Sequence, residues 1–221
     1  MMRINIAIDG PSAAGKSTIA DILAEKLNYT HLDTGAMYRA VAYEALSQEI
    51  PLDDEERVVS MIHQMDLEMP ADGSVILNGS DISKQIRENE ISMAASTVSA
   101  LEGCRKALVE MQQKICSNGG YILDGRDIGT VVLKDAPVKI YLVASAEARA
   151  QRRVLQNIEK GIEADYETIL EDIKARDYQD MHREHSPLRK AEDAIEIDTS
   201  DLNLEEVTAI CMKIIEDKTG V

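Results

Sequence analysis

A complete G-x-x-x-x-G-K-S loop, Gly10-Pro11-Ser12-Ala13-Ala14-Gly15-Lys16-Ser17, follows directly on the β-like apolar run Ile4-Asn5-Ile6-Ala7-Ile8-Asp9. No other feature constrains the chain as much. Gly10 and Gly15 let the backbone curl until successive N–H groups converge on phosphate oxygens, while Lys16 reaches the β- and γ-phosphates and the Ser17 hydroxyl is offered to Mg²⁺. From Thr18 onward, Ile19, Ile22, Leu23 and Leu27 recur at helical spacing, so the loop opens a helix whose N-terminal dipole also favours an anion. Residues 10 to 18 therefore read as a Walker A loop for a nucleoside triphosphate, and the fold as α/β with a parallel sheet flanked by helices.

Composition narrows the ligand. The 221 residues carry a net charge of −16, which argues against a nucleic-acid partner because such binding needs a basic face to displace counterions. Arginines nevertheless recur inside short motifs, a pattern that suits a small anionic ligand held in a pocket. At 44% hydrophobic content the chain can bury one sizeable core with a small appended unit. There is no apolar run of transmembrane length, and Met1-Met2-Arg3-Ile4 passes into the first strand without room for a cleavable signal, so a cytoplasmic protein with no membrane partner is expected. Cys104, Cys116 and Cys211, odd in number and widely spaced, read as free thiols in a reducing compartment. No H-E-x-x-H occurs, and His182 and His185 read as polar loop or helix residues, not metal ligands.

Along the chain, Tyr29 to Asp33 reads as a short strand leading into a helix with Met37, Ala40, Val41 and Ala45 on one face. A third helix is expected over Asp53 to Met65. Between 66 and 90 short β-like runs surround Ala71-Asp72-Gly73 and Asn78-Gly79, the signature of a hairpin-based insertion. Helical spacing returns from Ile91 to Cys116, broken near Leu101 to Gly103. Tyr121 to Asp124 then reads as a buried strand delivering Gly125-Arg126-Asp127-Ile128-Gly129 to its carboxyl end, where ligands gather in open α/β sheets. Lys139 to Val143 and Ala194 to Asp198 are further strands, residues 146 to 190 are charged and helical, and Leu204 to Lys218 forms a closing helix.

Four segments converge: the phosphate loop, Asp33-Thr34-Gly35-Ala36-Met37-Tyr38-Arg39, Asp124-Gly125-Arg126-Asp127-Ile128-Gly129-Thr130, and Ala175-Arg176-Asp177-Tyr178-Gln179-Asp180-Met181-His182-Arg183. Together, over essentially the whole chain, they resemble the bacterial cytidylate kinases. The resemblance implies a single P-loop nucleotide kinase domain over 1–221, with a core (1–35, 119–145 and 191–221), a monophosphate-binding region enlarged by a β-containing insertion (36–118) and a helical lid with its flanks (146–190). It implies a transferase of pyrimidine nucleotide metabolism that moves the γ-phosphoryl group of ATP, with Mg²⁺, to CMP or dCMP, and that acts as a monomer.

By the same resemblance, Thr34, Arg39 and Arg126 hold the acceptor phosphate, although relatives often carry Ser at the position of Thr34. Arg152 and Arg153 close over the donor phosphates. Arg176 and Asp180 meet the acceptor sugar and its neighbouring phosphate, and Asp127, Ser96, Arg105 and Arg183 read the cytosine. Lys16, Arg126, Arg153 and Arg176 are the residues expected to act on the phosphoryl group in transit. The chemistry agrees, since a carboxylate accepts well from cytosine N4 and meets lone-pair repulsion at uracil O4, and phosphoryl transfer is chiefly alignment and charge neutralisation, which the planar, permanently charged guanidinium suits. Ser92, Ser96 and Ser99 lie in one stretch, and only the resemblance selects Ser96. Asp124 is a candidate to orient Mg²⁺ through water, with a loop-stabilising carboxylate as the alternative. A kinase for uridylate or for a metabolite hydroxyl, and an NTP-dependent switch, remain as other readings; the N-K-x-D segment common in guanine-reading switches does not occur.

Overall fold

The computed structural model describes residues 3–159 and 161–220. Met1, Met2 and Val221, the ends of the expected domain, and Lys160 within the expected lid lie outside them. The first βα unit is β1 (Ile6–Asp9) and α1 (Lys16–Leu27), and the second is β2 (Thr30–Asp33) and α2 (Thr34–Ser47). After α3 (Glu55–Ile62) come three two-residue strands, β3 (Leu67–Glu68), β4 (Ile76–Leu77) and β5 (Ser80–Asp81), which pair antiparallel into a small separate sheet. Helices α4 (Asn89–Val98) and α5 (Glu102–Ile115) follow, then β6 (Tyr121–Gly125), β7 (Val138–Val143), α6 (Ala146–Glu159), α7 (Tyr166–His182), β8 (Ile195–Asp198) and α8 (Leu204–Thr219).

The main sheet is wholly parallel in the order β2-β6-β1-β7-β8. Its strands are short apolar runs because helices cover both faces. Alternate residues feed opposite sides: Ala7, Leu32 and Leu123 pack towards α2, α4 and α5, while Ile6, Ile8, Ile122, Val138 and Ile140 pack towards α1 and α8. Each of these leucine, isoleucine and valine side chains contributes about 1.5–3 kcal/mol by leaving water. Register then fixes where the loops emerge. Asp9 lies opposite Gly125 and Asp33 opposite Asp124, so β1, β2 and β6 end in one row and release their loops at the same edge.

Two local features have clear causes. The break between α4 and α5 lets Gly103 donate its backbone N–H to Glu55, and a Cβ on Gly103 would stand 2.9 Å from Val59 Cγ2, so this glycine permits α5 to lie against α3. The segment after β6 winds into a π-type turn over Ile128–Val132. The carboxylate of Asp9 caps it, accepting from the N–H groups of Ile128 and Gly129 at 2.7 Å each. In the insertion, the turn signalled by Asn78-Gly79 sends the chain back a second time and adds β5 to the β3–β4 hairpin.

Candidate active site

The phosphate loop leaves β1 at Gly10, where φ is 150° and a Cβ would lie 2.0 Å from the Leu142 carbonyl oxygen. Only glycine fits there. Ala13 (φ 59°) and Gly15 (φ 90°) then turn the backbone through left-handed conformations into α1. Lys16 is buried and donates from Nζ to Pro11 O at 2.7 Å, within its own loop. Burial, then the charge of Arg126, lowers its pKa to about 7 in spite of Asp124, Asp9 and Asp180. An anionic ligand would restore the ammonium.

Ser17 Oγ donates to Asp124 Oδ2 at 2.9 Å. The other oxygen, Oδ1, lies 2.9 Å from His31 Nε2, and His31 Nδ1 lies 2.7 Å from Asp21 Oδ1. Burial alone would pull the imidazolium pKa down, but the hydrogen bond and charge of Asp124, then those of Asp21, carry it up to about 9. Burial likewise pushes Asp124 upward and is outweighed by His31, Lys16 and Ser17, which leave its carboxyl below the usual range. Sequence reasoning passed over His31 because neither of its partners is near it in the chain.

Where β2 and β6 end, Thr34 Oγ1 donates to Asp124 O at 2.7 Å, which places the hydroxyl at the junction of the two strands. Arg39 Nη2 donates to Asp33 Oδ2 at 2.8 Å, and Asp33 also caps α2 by accepting from Ala36 N–H. Arg126 Nε donates to Asp180 Oδ2 at 2.8 Å, so α7 is tied to the end of β6. Burial opposes ionisation of Asp180, but Arg126, Arg183 and Arg176 outweigh it and hold the carboxyl low. Burial, then Arg126, Arg39 and Arg153, depress the Arg176 pKa, so four guanidiniums crowd one another. Among the described residues neither Arg153 nor Arg176 has an ion-pair partner.

Deeper on this side, Asp127 pairs with Arg105, which also donates to Ser99 O at 3.1 Å and lies 5.4 Å from the centre of the Tyr38 ring. Tyr38 thus brings an aromatic ring to the cleft wall beside this pair. Ser92, Ser96 and Ser99 all line the cleft, and Ser96 Oγ makes only a 3.5 Å contact with Ser92 O. Among the described residues the buried atoms Arg39 Nε, Arg105 Nε and Arg183 Nη2 have no hydrogen-bond partner. Such donors are costly to leave unmatched, and their position in one cleft suits a ligand rich in acceptors.

Towards β8 two adjacent arginines differ in their ties. Both Arg152 and Arg153 line the cleft, but Arg152 is bound to the end of β8, donating to Thr199 Oγ1 at 3.1 Å and to Thr199 O. Leu202 in the loop beyond β8 and Leu204 at the start of α8 contribute to the cleft wall, a contribution sequence reasoning missed. The signal was available, since ligands gather beyond the carboxyl ends of such strands and β8 is one of them. The whole cleft has a volume of about 1080 Å³, just above the roughly 300–1,000 Å³ of single small-molecule sites.

A sequence model of a family described as "Cytidylate kinase" matches residues 6–217. The chain belongs to the cytidylate kinase family. It is 48% identical over 220 residues to the cytidylate kinase of Bacillus subtilis (strain 168), covering 98% of each chain. It is also 48% identical over 211 residues to that of Streptococcus pneumoniae (strain 70585), covering 94% of this chain and 95% of the relative. Among solved structures, a gluconokinase from Sinorhizobium meliloti 1021 superposes with a TM-score of 0.53 at 13% identity, over 99% of this chain and 95% of that one. A shikimate kinase from Bacteroides thetaiotaomicron gives 0.50 at 10% identity, over 99% of each. At those identities the likeness carries the fold: a parallel sheet with the phosphate loop at its edge, as the family's sequence motifs imply.

Proposed function

We propose that this protein transfers the γ-phosphoryl group of ATP to CMP or dCMP, giving ADP and CDP or dCDP. The observation that carries the reading is the set of partnerless buried donors, Arg39 Nε, Arg105 Nε and Arg183 Nη2, in the same cleft as the carboxylate Asp127. A cytidine monophosphate offers what they lack. Its phosphate meets Arg39 and Arg126, with Thr34 alongside, its N4 amine donates to Asp127, and its O2 and N3 accept from Arg105 and Arg183, with Ser96 at the edge of the base. Arg176 and Asp180 flank the sugar and the transferring phosphoryl group.

ATP takes the other end, its phosphates cradled by the N–H groups of residues 10 to 18 and by Lys16. Arg153 and Arg176, with Arg126, neutralise the charge that spreads over the phosphoryl oxygens in transit, and Arg152 braces the donor side through Thr199. The acceptor phosphate is already an oxyanion at neutral pH, so no general base is assigned. The residues present fit Mg²⁺: a hard divalent cation takes oxygen ligands, and the Ser17 hydroxyl and Asp124 carboxylate stand 2.9 Å apart at the mouth of the loop. Ser17 would hold the ion directly and Asp124 through water. When bound, the ion would supply charge neutralisation to the nucleotide's phosphates.

The division into core (1–35, 119–145, 191–221), monophosphate-binding region (36–118) and lid (146–190) is part of the same reading. The separate three-stranded sheet and the separate small core of α6 and α7 favour it. Three buried free thiols suit a reducing cytoplasm, and among the described residues no helix is long and apolar enough to cross a membrane. A monomer suffices, since every proposed contact comes from one chain.

The test is ADP release from ATP and Mg²⁺ with CMP, dCMP, UMP and AMP, read as ratios of kcat/KM. CMP and dCMP should lead UMP by at least ~10²-fold, in line with loss of a paired hydrogen-bonding site, and Asp127→Asn should narrow that gap because its amide donates to O4. Comparable turnover of UMP by the parent protein would overturn the base reading. Release of ADP that is indifferent to any acceptor would overturn the kinase reading itself.

A further inference from the structure

Ser17 and Asp21 are four residues apart on α1 and so lie on one face of the helix. Across from them, Asp124 at the end of β6 and His31 in the neighbouring strand β2 complete a closed ring of contacts. Ser17 Oγ donates to Asp124 Oδ2, His31 Nε2 meets Asp124 Oδ1, and His31 Nδ1 meets Asp21 Oδ1, at 2.9, 2.9 and 2.7 Å. With a carboxylate oxygen at each ring nitrogen, the imidazole donates at both ends.

We propose that His31, backed by Asp21, is a positioning residue for the metal end of this site. It fixes Asp124 by one oxygen so that the other is held towards Ser17 and the water shell of the nucleotide-bound cation. The inference rests on the reading of Ser17 and Asp124 given above. A purely structural ion pair is a poorer account. Strands β2 and β6 are already joined by their backbone ladder, with Asp33 opposite Asp124, so the side chains are not required to hold the two together. His31 and Asp21 moreover line the cleft instead of packing in the core. The ring also settles what must change when a metal nucleotide arrives. The Ser17 hydroxyl must turn its lone pairs to the cation and release Oδ2, and among the described residues His31 is then the one hydrogen-bond partner left to restrain rotation of the Asp124 carboxylate. Without it, the carboxylate swings between orientations, and ordering it is charged against metal binding.

The experiment compares binding of ATP by titration calorimetry in Mg²⁺ and in EDTA for the parent, His31→Ala, His31→Gln and Asp21→Ala, with thermal melts as the check on folding. His31→Ala should weaken binding in Mg²⁺ by at least fivefold and leave binding in EDTA within twofold. The Mg²⁺ concentration for half-maximal turnover should rise by a similar factor, with KM for CMP unchanged. His31→Gln, whose amide can still donate to Asp124, should recover most of the loss, and Asp21→Ala should move the same ratio by two- to threefold. Asp21 is exposed, so that variant carries the test if His31→Ala does not fold. Equal weakening in Mg²⁺ and in EDTA, or an unchanged ratio in both His31→Ala and Asp21→Ala, would overturn the proposal. The binding arms need no acceptor, so they stand apart from failure of the cytidylate assay.

Discussion

Asp9 shows how one residue ties the two halves of the cleft together. It ends β1 immediately before the phosphate loop, and both of its oxygens accept N–H groups from the turn that follows Arg126 and Asp127. The loop proposed for ATP and the segment proposed for the acceptor thus share an anchor. Burial pushes its carboxyl from 3.8 up to about 6, against the hydrogen bonds from Gly129 and Ile128 and with the charge of Asp127 adding to the rise. The native state therefore binds this proton more readily than the unfolded chain, and the residue's contribution to stability grows as pH falls through that window. At neutral pH its charge costs roughly 3 kcal/mol relative to exposure. Asp9→Asn removes the titration and turns an NH₂ group towards one of the two donors, so it should be less stable than the parent, and the gap in melting temperature should widen between pH 7.5 and pH 5. A gap that stays constant with pH would mean that Asp9 titrates as an ordinary carboxyl. Nothing in the local sequence announced this role, because both partners lie about 120 residues away, whereas Lys16, Arg39 and Arg126 were legible from motifs that are contiguous in the chain.

At the scale of elements, Arg149 joins three pieces of structure with one side chain. It sits in the first turn of α6, buried, and donates to Ala144 O at 2.9 Å, to Ser12 O of the phosphate loop at 3.1 Å, and to both oxygens of Asp177 on α7. The paired helices are thereby hinged on the loop they are proposed to cover. Removing one partner leaves the other charge buried, so Asp177→Asn should destabilise the protein by about 3 kcal/mol and raise the KM for ATP more than that for CMP. A parent-like urea midpoint would show that the pair does not hold these elements. The strands and most helices could be read from apolar spacing and from glycine and Asn-Gly punctuation, and the break at Leu101 to Gly103 fell where it was expected. Arg149, the π-type turn and the binding of Arg152 to Thr199 could not be read, since each depends on which distant backbone atoms the fold brings near.

Across the whole molecule, stability is unevenly shared. Two large cores clamp the main sheet, but α6 and α7 rest on a small one built from Ala150, Leu170 and Ile173. Elements with so little burial open at low cost, and their amides should exchange quickly in the free protein. With CMP and a non-hydrolysable ATP analogue together, exchange across α6 and α7 should slow by at least ~10-fold, as expected of a lid that closes on its substrates, while β1, β6 and β7 stay unchanged. Identical exchange with and without the two nucleotides would remove the lid from the account. The crowding of Arg39, Arg126, Arg153 and Arg176 in a chain of net charge −16 has one more consequence. The outer field repels the very ions the cleft attracts, and at physiological salt it fades over about 8 Å. A nucleotide drifting past meets a surface that holds it off and an arginine-lined recess in which it can lodge, so the search is short-sighted but rarely ends in the wrong place.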